Sequence, residues 1–331
     1  MRMVAALVAA FVSLVVGVGT VDAKKTLRLT VQLPLKSVLG QNLLQFKDEV
    51  EKATGGTLEV RIFDSAQLYD DKDVPMAVGT GQIDLGVASL ARYVADVPAV
   101  DVFYVPFVFN SDAKLRAAVA PGSAVRGPLD EAIAKTGARV LWWQAYGGTV
   151  LLSKGGQPIK TPADLKGKKV RVLGKLLGTW VTANGGTPVN VAGGEQYFAY
   201  QRGTVDIGMT GPDTVKSRKI WEVMDTVTVA NVASIEFLVM INEKVFQDLT
   251  EDERRIILAA SKNAEIKLRD DFIQIEKDAL EVARQNKMLV YAPNATEMEA
   301  FRKSADAVRD EFLKNAGPLG KQVHDAALAL K

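Results

Sequence analysis

Arg171 stands in unusual company. It lies within Lys168-Lys169-Val170-Arg171-Val172-Leu173, a run that reads as a β-strand. A parallel strand covered on both faces is normally an unbroken apolar stretch. A guanidinium there is costly unless an anion meets it, and arginine matches a carboxylate with two parallel hydrogen bonds. The alternative is an edge strand with the arginine turned to solvent, as Arg28 or Arg61 would be. The strand pattern alone leaves these two readings level.

The remaining chemistry-bearing groups are less pointed. Arg92-Tyr93 follow an apolar strand and read either as a cover over a ligand or as a surface loop. Trp142 and Trp143 read as the end of a strand before Gln144-Ala145-Tyr146-Gly147-Gly148, better suited to a core, with one alternating position able to face a cleft. Asp70, Asp71 and Asp73 form an acidic turn whose spacing fits no calcium loop, so Asp71 or Asp73 is expected to cap a helix. Gly193-Gly194 lacks the spacing of a phosphate cradle. The chain holds no cysteine and one histidine, His324, which removes thiol chemistry and the usual first choice for acid–base work. No nucleophile–base pair or metal-ligand set emerges. The sequence therefore predicts no catalytic residue, no metal and no cofactor.

An internal repeat indicates how such residues are positioned. Gly81-Gln82-Ile83-Asp84-Leu85-Gly86-Val87 reappears as Gly203-Thr204-Val205-Asp206-Ile207-Gly208-Met209. Each copy is a turn glycine and a short apolar strand with one aspartate at the same offset; Asp84 and Asp206 are expected to brace the turns. Strands at 26–33 and 168–173 precede the copies. Helices follow them at 37–53, with Leu39, Leu43, Phe46 and Val50 at helical spacing, and at 176–184. Strands at 57–63 and 187–191, then short helices at 73–80 and 194–202, complete two β-α-β-α-β units. The fold class is accordingly α/β, in two domains with largely parallel sheets.

Ligands of paired α/β domains bind in the cleft at the carboxyl ends of the strands, which singles out Gln32, Ser89 to Arg92, and Thr210 to Asp213. After Val232 a strand at 237–241 returns the chain, and Thr250 with Glu253 forms a capping box for a helix that runs as far as Gln285 and spans both domains. A last helix at 297–314 is expected to stop at Gly317-Pro318. The predicted division is 24–147 with 237–274 as one domain, and 148–236 with 275–331, including the C-terminal helices, as the other.

Arg2, the apolar stretch from Val4 to Val18, and Val21-Asp22-Ala23 ahead of Lys24 have the order of a cleavable secretory signal peptide over 1–23. The apolar run is short for a membrane span. The net charge of +2 is unclustered, which argues against a nucleic-acid partner.

Four blocks carry a family resemblance. Pro162-Ala163-Asp164-Leu165-Lys166-Gly167-Lys168-Lys169-Val170-Arg171 resembles the "paDLkGlk-R" segment of solute-binding proteins from tripartite ATP-independent periplasmic (TRAP) transporters. Glu195 to Asp206 is similar to that family's "E-Y-ALQ-G-vD" block, and Ser65-Ala66-Gln67-Leu68 and Pro98 to Phe107 match two more in the right order. The resemblance covers the mature chain. It implies a periplasmic-binding-protein fold of the type II-like TRAP class, closing two domains around an organic acid and docking on a TRAP membrane permease. It places the family's carboxylate-binding arginine on Arg171, and further pocket positions on Gln32, Asp71, Ser89, Arg92, Tyr146 and the turn Thr210-Gly211.

Two departures bear on the ligand. Sialic-acid binders carry a second arginine where this chain has Gly148-Thr149-Val150, and a "QEN" triplet where it reads Ile207-Gly208-Met209-Thr210-Gly211-Pro212. Both remove polar contacts and favour a smaller or more apolar acid, such as a keto acid or an aromatic carboxylate. The rival readings are a ligand presenter to a membrane sensor, and a periplasmic enzyme relying on carboxylates, Tyr146 and serines.

Overall fold

The computed structural model describes residues 24–331. Segment 1–23, expected from its sequence to be a signal peptide, lies outside the described residues. The first unit runs β1 (Lys25–Val31), α1 (Val38–Ala53), β2 (Leu58–Phe63), α2 (Val74–Gly79) and β3 (Leu85–Ser89). It is followed by 3-10 turns at Leu90–Tyr93 and Pro98–Tyr104, then α3 (Asp112–Val119), α4 (Arg126–Ala134) and β4 (Ala138–Gly148). The second unit contains β5 (Val150–Ser153), β6 (Lys169–Val172), α5 (Lys175–Ala183), β7 (Thr187–Asn190), α6 (Gln196–Gln201), β8 (Gly208–Thr210), α7 (Asp213–Ser217) and β9 (Thr226–Thr228). The chain then returns through β10 (Ser234–Asn242), α8 (Glu243–Gln247) and α9 (Glu251–Gln285), and closes with β11 (Leu289–Tyr291), α10 (Ala295–Lys303), α11 (Asp306–Asn315) and α12 (Gly317–Ala329).

The repeat seen in the sequence has a structural counterpart. The first sheet is ordered β2-β1-β3-β10-β4, with β2, β1 and β3 parallel and β10 antiparallel to both neighbours. In the second, β7 and β6 are parallel, and the Val170–Ile207 bridge joins them to β8 in the ladder β11-β9-β5-β8. The fourth strand of each array is antiparallel and is supplied by the segment that crosses from the other unit. The two aspartates do the same work. Asp84 accepts the Arg28 backbone N–H at 2.7 Å, and Asp206 accepts that of Lys169 at 2.8 Å. Each satisfies a donor on the first strand of its unit.

Strands covered on both faces are buried throughout, and in β3 and β10 this includes Ser89, Ser234, Glu236 and Asn242 among the apolar residues. Helix α1 begins at Ser37, whose hydroxyl accepts from Gly40 N–H, and buries Leu39, Leu43, Phe46 and Val50, the stripe read from the sequence. Helix α9 has the predicted capping box, with both Thr250–Glu253 bonds formed. Its 35 residues extend about 52 Å. It packs on α1 and β4 in the first unit and on α7 and β11 in the second. Buried pairs fasten it, Arg269 to Glu236 of β10 at 2.8 Å and Glu265 to Arg126 of α4.

Three expectations fail. The returning strand starts at Ser234, not Phe237, because Ser234 to Glu236 pair with Ala145 to Gly148; buried Glu236 hid this by breaking the apolar pattern. The helix expected at 297–314 stops before Gly317, which lies at φ +64°, but it is two helices, α10 and α11, and it is not the last, because Gly317-Pro318 also opens α12, where proline's missing N–H in a first helical turn has no partner to lose. The C-terminal helices also do not belong to the second unit alone. Helix α12 packs on 98–104 and α4 of the first unit, while α11 touches α5 of the second.

Candidate functional site

The ends of β1, β3, β4, β6 and β8 converge on a cavity of about 30 Å³ between the two units. That is above the ~10–15 Å³ needed to admit a water. Seven of the eight predicted site residues line it: Gln32, Asp71, Ser89, Arg92, Tyr146, Arg171 and Thr210. Gly211 does not. It stands behind Tyr146, and a Cβ there would sit 2.6 Å from the Tyr146 carbonyl oxygen.

Arg171 is 3 % exposed, so of its two sequence readings the solvent-facing one is excluded. Nε donates to Val191 O at 3.1 Å and Nη1 to Met209 O at 2.6 Å, which fixes the plane of the guanidinium. No carboxylate lies within ion-pair distance among the described residues. Burial weighs against its charge, Arg218 and Arg92 add repulsion, and Tyr200 and Asp71 partly offset it; the net effect holds its pKa below the ordinary arginine value. A buried cation in this state is poised to meet an anion.

Arg92 differs because it is neutralised. Asp71 Oδ2 accepts Arg92 Nε at 2.6 Å and Ser89 Oγ at 2.8 Å, while Oδ1 accepts Ser89 N–H at 2.8 Å. Asp71 is therefore no helix cap. It is buried under the cavity, and the N-cap position of α2 is Asp73, whose side chain makes no capping bond. Among the described residues no cluster of ligands suits a metal ion.

Tyr146, Thr214 and Thr210 form a hydroxyl chain, with Oη–Oγ1 and Oγ1–Oγ1 contacts both of 2.8 Å. Three hydroxyl protons serve two internal bonds, leaving one to donate elsewhere. In a head-to-tail chain that proton sits on Tyr146 or Thr210, both of which line the cavity. Burial raises the Tyr146 pKa well above its usual value, so the hydroxyl stays protonated. Its aim has a backbone cause. Between Glu236 and Ile235 the partner on β4 skips from Ala145 to Gly147, so Tyr146 is the extra residue of a β-bulge. Trp142 and Trp143 lie inside β4 rather than at its end, bond to Asn42 and Asp130, and do not reach the cavity.

Sequence reasoning missed several lining residues. Arg218 follows α7, and its flanking Lys216 and Lys219 disguise it as part of a solvated basic run. Gln196, held by Tyr200 Oη at 2.9 Å, and the apolar wall of Leu33, Leu173, Ile235 and Phe237 complete the enclosure. Charge inside an apolar strand found Arg171 and the strand-end rule found Gln32, Ser89, Arg92 and Thr210, but neither signal marks Arg218 or Gln196.

Residues 30–315 match the family model described as bacterial extracellular solute-binding protein, family 7, or DctP. The chain belongs to this family. A family 7 relative, the C4-dicarboxylate-binding periplasmic protein DctP of Rhodobacter capsulatus, is 29% identical over 65% of this chain and 64% of its own length. The sialic acid-binding periplasmic protein SiaP of Vibrio cholerae is 26% identical over 90% of this chain and 92% of its own. A TRAP periplasmic solute-binding protein from Sulfurospirillum deleyianum, solved with bound succinate, superposes with a TM-score of 0.87 at 24% identity, covering 93% of this chain and 100% of that one. The two-unit α/β architecture is thus that of TRAP solute-binding proteins, a family of transport proteins whose named relatives are periplasmic. Among the described residues no helix is long and apolar enough to cross a membrane.

Proposed function

We propose that this protein is exported by its N-terminal signal peptide, captures a compact organic acid between its two units without chemical change, and delivers it to a TRAP-type permease. The observation that carries this reading is Arg171: a buried guanidinium in an enclosed cavity, held by two carbonyls and lacking a carboxylate partner among the described residues. Arg171 anchors the ligand carboxylate. Arg92 and Ser89, oriented by Asp71, and the Tyr146–Thr214–Thr210 chain supply further donors. Gln32 spans the units, its Oε1 only 2.7 Å from where a Cβ on Gly193 would be, so it senses their approach.

Capture without catalysis is supported by the site's composition. The lining carboxylate, Asp71, spends both oxygens on internal bonds, and Tyr146 is held protonated, so neither is a free base.

The test is a thermal-shift screen of residues 24–331 against organic acids, after unfolding and refolding to strip any carried ligand. An acid at 100 times its dissociation constant adds about 2.7 kcal/mol, a shift of several degrees. Silence across carboxylates, or recovery of a chemically altered acid, would refute the proposal. Retention of the loaded protein on a membrane sensor instead of a permease would redirect the delivery step.

A further inference from the structure

Two strand crossings that join the units lie side by side. One runs from β4 to β5 through Gly147, Gly148 and Thr149, and the other from β9 to β10 through 229–233. Thr149 bonds them together. Its N–H donates to Ala233 O at 2.9 Å, its carbonyl accepts Asn231 N–H at 3.0 Å, and its hydroxyl accepts Ala233 N–H at 3.1 Å. Gly147 and Asn231 stand at φ +89° and +46°, left-handed conformations that bend the two crossings. Helix α9 presses on the first of them: a Cβ on Gly147 would sit 2.6 Å from Phe272 Cε1 and closer still to Glu276 Oε1. One turn beyond Phe272, Glu276 Oε1 accepts the Gly148 N–H at 3.2 Å.

This is an uncommon use for a carboxylate. Glu276 is half-buried, and the one charge acting on it among the described residues, Asp112, has the same sign. Burial and Asp112 raise its pKa against the pull of the Gly148 N–H. A desolvated carboxylate without a cation is costly, and an apolar side chain would pack on Phe272 and Gly147 without that cost. What the carboxylate supplies is a fixed acceptor for a backbone N–H two residues beyond Tyr146, whose side chain lines the cavity. We infer that Glu276 is a positioning residue for capture: by gripping Gly148 it holds the crossing in the enclosed arrangement and so sets ligand affinity without touching the ligand. This inference rests on the capture reading. Apparent affinity falls with the fraction of time the binding-competent form is populated. Loss of the grip therefore speeds release, leaves encounter unchanged, and acts by the same factor on every acid.

The experiment is stopped-flow binding of succinate, pyruvate, benzoate and D-galacturonate to residues 24–331. Glu276→Leu should speed dissociation by about 10-fold to 100-fold, the worth of one hydrogen bond to a charged group, with association unchanged. Glu276→Gln keeps a carbonyl oxygen for Gly148 and should return the rate to within about threefold of wild type. A merely structural role would lower the melting temperature and leave the dissociation rate of the folded protein as it was. Wild-type amide exchange at Gly148, read by NMR, needs no variant: saturation with a bound acid should slow it by about 10-fold or more. Exchange that ignores the acid overturns the inference while leaving capture standing. So does a folded Glu276→Leu that releases each acid at the wild-type rate, or one whose loss differs from acid to acid. Absence of binding by all four acids in the wild type overturns both readings.

Discussion

Replacing Arg171 by alanine separates binding from folding. The guanidinium has five N–H groups, and two are used internally, Nε on Val191 O and Nη1 on Met209 O, which leaves three for a ligand. A carboxylate takes two of these in a bidentate pair. Hydrogen bonds to charged groups are worth about 1.5–3 kcal/mol each, so losing both costs about 3–6 kcal/mol, or roughly 10²–10⁴-fold in affinity. The fold should suffer much less. Two backbone carbonyls lose donors at about 1–3 kcal/mol each, but removing a buried, repelled cation offsets that loss. Arg171→Lys keeps the charge and loses the planar fork, so its affinity should fall between wild type and alanine. The assay is isothermal titration with the best acid from the screen, alongside thermal melts of the unliganded proteins. A dissociation constant within about threefold of wild type, in an alanine variant that still melts cooperatively, would refute the anchor.

Other perturbations probe the frame around the site. Gly211→Ala would place its Cβ 2.6 Å from the Tyr146 carbonyl oxygen and 2.7 Å from Cδ1; thermal melts should show a loss of about 1–3 kcal/mol, and titration weaker binding. Thr250→Ala removes the capping-box hydroxyl of α9 and should lower stability by about 1 kcal/mol, or about 2–4 °C in a thermal melt, without changing ligand preference. Burial pushes Asp101 up to about 7, with Lys175 pulling the other way. Because the folded state holds its proton more tightly than the unfolded chain, stability from this group is full below about pH 4 and is lost as pH rises to about 7. Urea unfolding of Asp101→Asn from pH 4 to 8 should show that decline flattened; an unchanged pH dependence would refute the assignment.

The parts of this protein legible in its sequence are those that local periodicity and steric rules dictate. The stripe of α1, the capping box of α9 and the repeated turn glycine with its aspartate each depend on residues close in the chain, so the two β-α-β units could be read directly. Arg171 was visible because a charge interrupts a strand that ought to be apolar, and the family resemblance assigned it a ligand. Contacts between distant segments left no such trace. By its local pattern Asp71 looked like one of three turn aspartates, and only the family resemblance put it at the pocket; the fold brings Ser89 and Arg92 to its oxygens. Tyr146 faces the cavity because a bulge adds one residue to β4, and a register shift depends on the partner strand. Buried Glu236 concealed the start of β10 because its partner, Arg269, lies on a helix 33 residues away in sequence. Arg218 reads as solvated until the fold brings it, half-buried, to the cavity wall. Sequence alone determined the elements and the first arginine, through short-range sterics and polarity. Tertiary structure decided which charges remain unpaired in the cavity, because burial and compensation belong to the packed assembly and not to any one segment.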